Sequence, residues 1–276
     1  MELKNKIRLV GIDLDGTLLN DEKKLCDGAA EILSIAKDNN IHIVPVTGRP
    51  YNGIPECVRK LDAVDYIICS NGASIIEAKT KDELFSFSMS NEKSVEVFNL
   101  LQSCECIFEP FCEGVCYTEQ QILDSYIGLF RGSPIEEYLL STRVICNSIR
   151  ELFEEQGICA DEFFVSCENR EKQSEITALL DKVEGIHYWF FGNKYIEITR
   201  SDCDKGSALK TLCDMLGVGI NQTIAFGDGD NDLSFLKTAG VAVAMENAFP
   251  SVKEKADIIA KSNNDNGVCE IIKTLF

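Results

Sequence analysis

Apolar positions along the first part of the chain follow two rhythms. Residues 7–12 form a near-continuous apolar run, the pattern of a strand buried on both faces. The run opens into the polar loop Asp13-Leu14-Asp15-Gly16-Thr17. Over residues 27–37, Ala29, Ile32, Leu33 and Ala36 recur on one helical stripe. Residues 41–46 repeat the buried-strand pattern and lead into Thr47-Gly48-Arg49-Pro50, where the proline suits the first turn of a helix. Residues 63–69 form a third such run, closed by the turn signal Ser70-Asn71-Gly72.

The same grammar returns near the end of the chain. Residues 205–216 read as a helix bounded by Gly217. Residues 223–226 read as a buried strand followed by Gly227-Asp228-Gly229-Asp230-Asn231-Asp232, then a helix over 233–238 and a short strand over 241–244. Alternation of strand and helix predicts a parallel sheet with helices on both faces, an α/β Rossmann-like core. The middle differs: aromatics are denser and alternation is antiparallel in character, as in His187-Tyr188-Trp189-Phe190-Phe191. The expected organisation is therefore a core from residues 1–83 and 194–276, with an α+β domain inserted over 84–193. Its crossings fall near 81–88 and 191–198. Trp189, Phe190 and Phe191 are expected in an aromatic core rather than lining a cleft.

Composition narrows the functions. Of 276 residues, 45 are Asp or Glu and 27 are Lys or Arg, a net charge of −18 that disfavours nucleic acid and anionic membrane. No basic cluster offsets this, and no apolar run reaches the length of a membrane span. Residues 1–6 lack the apolar core and cleavage site of a signal peptide, so a cytoplasmic protein is expected. The 13 scattered cysteines fit reduced thiols acting as small hydrophobes. Cys104, Cys106, Cys112 and Cys116 lack the paired C-x-x-C spacing of structural zinc, and alternate positions on neighbouring strands account for them equally.

Three polar clusters each follow a buried strand: Asp13 with Asp15, Thr47, and residues 228–232. In a parallel sheet such loops leave the carboxyl edge, where ligands bind. Carboxylates crowded there call for a hard divalent cation, which also reverses the local charge seen by an anion. A calcium loop is excluded because Leu18 and Leu233 stand where glycine is required, and Lys24 and Ala239 where glutamate is. The two histidines, His42 and His187, have no local ligand partner and read as structural.

Asp13-Leu14-Asp15-Gly16-Thr17-Leu18, Thr47-Gly48-Arg49, Lys205-Gly206 and residues 227–232 resemble, in order, the four motifs of the haloacid dehalogenase superfamily. More narrowly they resemble its Cof-type phosphatases, whose recurrent signatures are also matched by Asn71-Gly72-Ala73 and Ala244-Met245-Glu246-Asn247-Ala248. The resemblance implies magnesium-dependent hydrolysis of a small phosphorylated metabolite, sugar phosphates first, with the insert as a specificity cap. It makes Asp13 the nucleophile, ionised at neutral pH, and Asp15 the general acid and then base. Magnesium is expected on the Asp13 side chain, the Asp15 carbonyl and Asp228, with Asp232 supporting that shell. Thr47, Lys205, Asn231 and the Gly48 N–H at a helix start are expected to hold the phosphoryl group. Arg49 fits a substrate contact or a structural salt bridge. A phosphomutase and a non-catalytic phosphate sensor are the alternatives; dehalogenation is disfavoured because Asp15 is present. A monomer or weak homodimer is expected.

Overall fold

The computed structural model describes residues 6–191 and 194–276. They form two compact units. Met1–Gly48, Ile54–Phe85 and Asp204–Phe276 make the first, and Arg49–Gly53 with Ser86–Cys203 make the second.

The first unit opens with β1 (Leu9–Ile12), α1 (Ala29–Asp38) and β2 (His42–Pro45). A single turn α2 (Glu56–Arg59) precedes β3 (Tyr66–Cys69), β4 (Ser74–Glu77) and β5 (Glu83–Ser86). The second unit holds α3 (Asn91–Ser103), β6 (Ile107–Cys112), β7 (Val115–Glu119), α4 (Gln120–Phe130), α5 (Pro134–Thr142) and β8 (Arg143–Cys146). It continues with α6 (Ile149–Glu154), β9 (Glu162–Ser166), α7 (Arg170–Leu180), β10 (Ile186–Phe191) and β11 (Tyr195–Arg200). The chain then returns to the first unit through α8 (Lys205–Leu216), β12 (Thr223–Gly227), α9 (Leu233–Thr238), β13 (Val241–Met245), α10 (Pro250–Lys253), β14 (Ile258–Ala260) and α11 (Gly267–Ile272).

Among the described residues, the core sheet has five strands in the order β14-β13-β12-β1-β2. All of its pairings are parallel. Leu9, Val10, Ile12, Ile43, Val44 and Phe226 are fully buried in it, each such side chain contributing roughly 1.5–3 kcal/mol. Register sets up the functional edge. Ile12 lies beside both Pro45 and Phe226, so Asp13, Thr47 and Asp228 emerge at one end of the sheet. β3 continues past β2 by bridges Ile43–Val64 and Val46–Ile68, then turns antiparallel into β4.

Helix α8 begins with a reciprocal cap between Asp204 and Ser207 and ends at Gly217 in the left-handed conformation, as its sequence bounds imply. Gly206 lets α8 press against α9: a Cβ there would stand 2.6 Å from the Ser234 carbonyl oxygen. One expectation fails here. No α-helix starts at Gly48; a three-residue 3-10 turn occupies Tyr51–Gly53 instead. Pro50, Gly53 and Pro55 interrupt the segment too closely for a helix to propagate.

In the second unit the described sheet order is β10-β11-β9-β6-β7-β8, antiparallel except for the parallel β7–β8 pair. One face contributes Phe108, Phe163, Val165, Ile196 and Ile198 to a core shared with Val97, Phe98, Phe153 and Ile176. The other carries Glu109, which is fully buried and accepts a 2.8 Å ion-pair contact from Arg143. Strand β11 hydrogen-bonds to both β9 and β10, so this unit extends beyond the boundary expected at 193, a residue outside those described. Phe190 corrects a further expectation: it is 52% exposed because β10 is the outermost strand in the sheet order. The Phe191 side chain lies outside the described residues. His187 meets Trp189 edge-on at 4.6 Å, and His42 Nδ1 lies 2.9 Å from Asp65 Oδ2, both in packing roles. All 13 cysteines are thiols outside disulfides; Cys112 and Cys116 are buried around the β6–β7 hairpin. No helix among the described residues is long and apolar enough to cross a membrane.

Candidate active site

The carboxyl edge of the first unit's sheet gathers an ionic cluster. Asp13, 6% exposed, follows β1, and its N–H donates to the Phe226 carbonyl at 3.0 Å. Lys205 opens α8 but is 1% exposed, not the solvated side chain that a helix start alone suggests. Its Nζ donates to Asp13 Oδ1 at 2.7 Å and to Asp232 Oδ1 at 2.5 Å. Asp232 Oδ2 accepts the N–H groups of Asp228 and Gly229 at 2.9 and 3.0 Å. Both Asp232 oxygens are therefore engaged, which suits a supporting role. Asp228 Oδ1 accepts from the Thr17 hydroxyl at 3.2 Å. Gly16, at φ +82°, lies against the same carboxylate, and a Cβ there would come within 2.3 Å of Asp228 Oδ2. Only glycine fits this left-handed turn at that distance.

Other expected residues flank the cluster. The Thr47 N–H donates to Ile68, and its carbonyl accepts from the Asn71 N–H at 3.0 Å. Asn231 Nδ2 donates to Asn71 Oδ1 at 2.9 Å, and Gly48 lies beside the Asn71 amide. Asn71 and its neighbour Ser70 hold positive φ, which asparagine tolerates. The Asp15 carboxylate lies in an ion pair with Lys23 at 2.8 Å, with 31% and 53% of the two side chains exposed. Arg49 belongs to the second unit, where it donates to the Gly53 carbonyl at 2.8 Å and stacks 4.9 Å from the Tyr138 ring centre. Thr17, Asn71 and Asn247 are the residues that motif reasoning did not single out as site members. The turn signal at Asn71 and the hydroxyl that closes the first motif were the available clues.

Charge is unbalanced in this cluster. Oxygen atoms of Asp13, Asp228 and Asp232 lie within 4.8 Å of one another, against the one ammonium of Lys205. Burial, then Asp232 and Asp228, push the Asp13 carboxyl well above its ordinary value, although Lys205 opposes them. Asp228 is pushed to about 6, by burial first and Asp232 next. Burial works against the Lys205 charge, yet Asp13 and Asp232 overcome it and hold the ammonium protonated. Burial and crowding thus oppose the charge on Asp13, and three crowded carboxylates call for a further cation. Three carboxylates and one ammonium leave two negative charges and only oxygen donors, which fits one hard divalent ion. Among the described residues, this is the one group of three or more acidic, histidine or cysteine side chains with metal-ligand spacing. The Cys104, Cys106, Cys112 and Cys116 set is not such a group.

A pH test follows from Asp228. Its folded value of about 6 exceeds the ordinary 3.8, so folding favours the protonated form. That contribution is present at low pH and lost as pH rises through this window. Relative to Asp228→Asn, the metal-free protein is expected to lose roughly 3 °C of melting temperature between about pH 4 and about pH 7. Magnesium is expected to restore it at the upper end. An unchanged difference between the two proteins across that range overturns the assignment.

Comparison with known proteins gives a consistent set. A family model described as haloacid dehalogenase-like hydrolase matches residues 10–272. Phosphatase YwpJ of Bacillus subtilis (strain 168) is 28% identical over 292 residues, 98% of this chain and 100% of that protein. The 5-amino-6-(5-phospho-D-ribitylamino)uracil phosphatase YwtE of the same organism is 29% identical over 295 residues, 98% of each chain. A solved haloacid dehalogenase-like hydrolase from B. subtilis aligns with a TM-score of 0.85 at 27% identity, over 98% of this chain and 100% of that one.

Proposed function

Because this chain belongs to the haloacid dehalogenase-like hydrolases, we propose that it hydrolyses small phosphate monoesters with magnesium, using the Asp13 carboxylate as nucleophile. The observation that carries this reading is the buried Lys205 ammonium bridging Asp13 and Asp232 beside Asp228. A carboxylate held against a fixed cation, at a sheet edge rich in polar groups, is what an in-line attack on phosphorus requires. Asp13, Asp228 and the Asp15 carbonyl would hold magnesium, with Asp232 bracing Asp228 from behind. Magnesium, when bound, neutralises the carboxylates and stabilises charge on the phosphoryl oxygens.

Asp13 attacks phosphorus, the ester P–O bond breaks, and Asp15 gives its proton to the leaving alcohol. Asp15 then takes a proton from water as that water attacks the aspartyl-phosphate, releasing inorganic phosphate and restoring Asp13. The Lys23–Asp15 pair is partly exposed and worth at most about 1 kcal/mol. Thr47, Lys205, Asn231 and the Gly48 N–H bind the phosphoryl oxygens. The second unit is assigned to substrate selection. YwtE, by its name, acts on a phosphorylated ribityl compound, which supports sugar phosphates and related metabolites as the substrate class here. Thirteen cysteines outside disulfides fit a reducing, cytoplasmic setting.

The test is a panel of phosphate esters assayed for released phosphate with and without magnesium. Turnover of sugar phosphates that is lost on chelation is the expected result. Isomerisation without phosphate release points instead to a mutase, and binding without turnover across the panel to a sensor.

A further inference from the structure

Asn247 follows β13 and is exposed. Its Nδ2 donates to the Gly16 carbonyl at 2.8 Å, and its Oδ1 accepts the Asn263 N–H at 3.1 Å. Asn263, 3% exposed, donates onward from Nδ2 to the Leu19 carbonyl at 3.0 Å and to Asp21 Oδ1 at 3.1 Å. Asn264 adds a reciprocal pair with Asp21, at 3.1 and 3.0 Å. Two asparagines that follow different strands of the sheet, β13 and β14, thus clamp the loop that carries Asp15.

Gly16 is where this clamp acts on chemistry. Its left-handed backbone sits against Asp228, and its peptide is the next one after Asp15. Glycine leaves such a turn free to take several orientations, so a donor on its carbonyl selects one. We propose that Asn247 is a positioning residue for Asp15: by holding the Gly16 carbonyl it fixes the turn from which Asp15 delivers its proton to the leaving group. This rests on the phosphatase reading above. Asn247 is exposed, so shortening it opens no buried cavity.

The leaving group reports the effect. A nitrophenolate departs without protonation, whereas an alkoxide needs it. Asn247→Ala is therefore expected to lower the ratio of kcat/KM for an alkyl phosphate to that for nitrophenyl phosphate by about tenfold, a fraction of what general-acid catalysis supplies. Asn247→Asp keeps the acceptor for the Asn263 N–H but sets a carboxylate oxygen against the Gly16 carbonyl, and is expected to lower the ratio at least as much. A wild-type ratio in Asn247→Asp overturns the proposal, because the Asn263 link alone would then suffice.

Hydrogen exchange gives a readout independent of turnover. The Thr17, Leu18 and Leu19 amides, bonded to the Leu14 and Asp13 carbonyls, are expected to exchange about tenfold faster in Asn247→Ala, while those of β1 keep their protection. Unchanged exchange at these three overturns the clamp. Faster exchange with a flat ester ratio overturns its catalytic role. A wild-type enzyme that turns over neither ester overturns the phosphatase reading, with the exchange result still legible.

Discussion

Asp13→Asn is expected to lower turnover of nitrophenyl phosphate in magnesium by at least about 10⁴-fold, while the protein stays folded. The amide keeps the shape of the carboxylate and an oxygen that can accept from Lys205 Nζ, now 2.7 Å from Asp13 Oδ1. What it loses is the nucleophile. Stability is expected to hold or rise without metal, because the Asp13 carboxyl is already pushed above its ordinary value by burial and by Asp232. A folded state that disfavours the charge gains when the charge is removed. Acid quenching of the wild type during turnover should trap phosphate on the peptide containing Asp13, and the variant should trap none. Appreciable turnover by the folded variant, or label on another carboxylate, removes Asp13 from its role.

Much of this site was legible because its parts are local. The bounds of α8 and α9 match their apolar periodicity and flanking turn residues, and each acidic loop follows a run buried in the sheet. Properties that depend on distant partners were not legible. Lys205 looks like a solvated helix start until α8 is packed against α9, where Gly206 brings it to 1% exposure. The crossing back to the core was expected near 191–198, and only the hydrogen bonds of β11 to β9 and β10 assign residues 195–200 to the second unit. The role of Asn247 was hidden for the same reason. Its contacts are with Gly16, 231 residues away, and with Asn263, 16 residues on. The upward pressure on the Asp13 carboxyl was hidden too, because crowding by Asp232 and Asp228 is a tertiary fact.

Lys205→Met tests that crowding from the other side. The ammonium is the fixed cation between Asp13 and Asp232, and both partners are buried. Methionine fills much of the same space but leaves two carboxylates without their donor. Removing one partner from a buried ion pair typically costs about 3–5 kcal/mol, and loss of a fixed charge on the transferring group should lower turnover by about 10³-fold. The pH dependence carries the diagnostic sign. Without Lys205, which lowers it, the folded-state value of Asp13 must rise further, so the folded protein holds more protons than the unfolded chain above the ordinary carboxylate value of 3.8. Stability of the variant relative to wild type then falls as pH rises. Urea denaturation without metal at about pH 5 and about pH 8 should show the larger deficit at the higher pH. Adding Asp13→Asn should recover part of that deficit, because the second change removes one of the charges that the first left unpaired. Equal deficits at both pH values, or no recovery in the double variant, overturn the electrostatic account and leave Lys205 as packing alone.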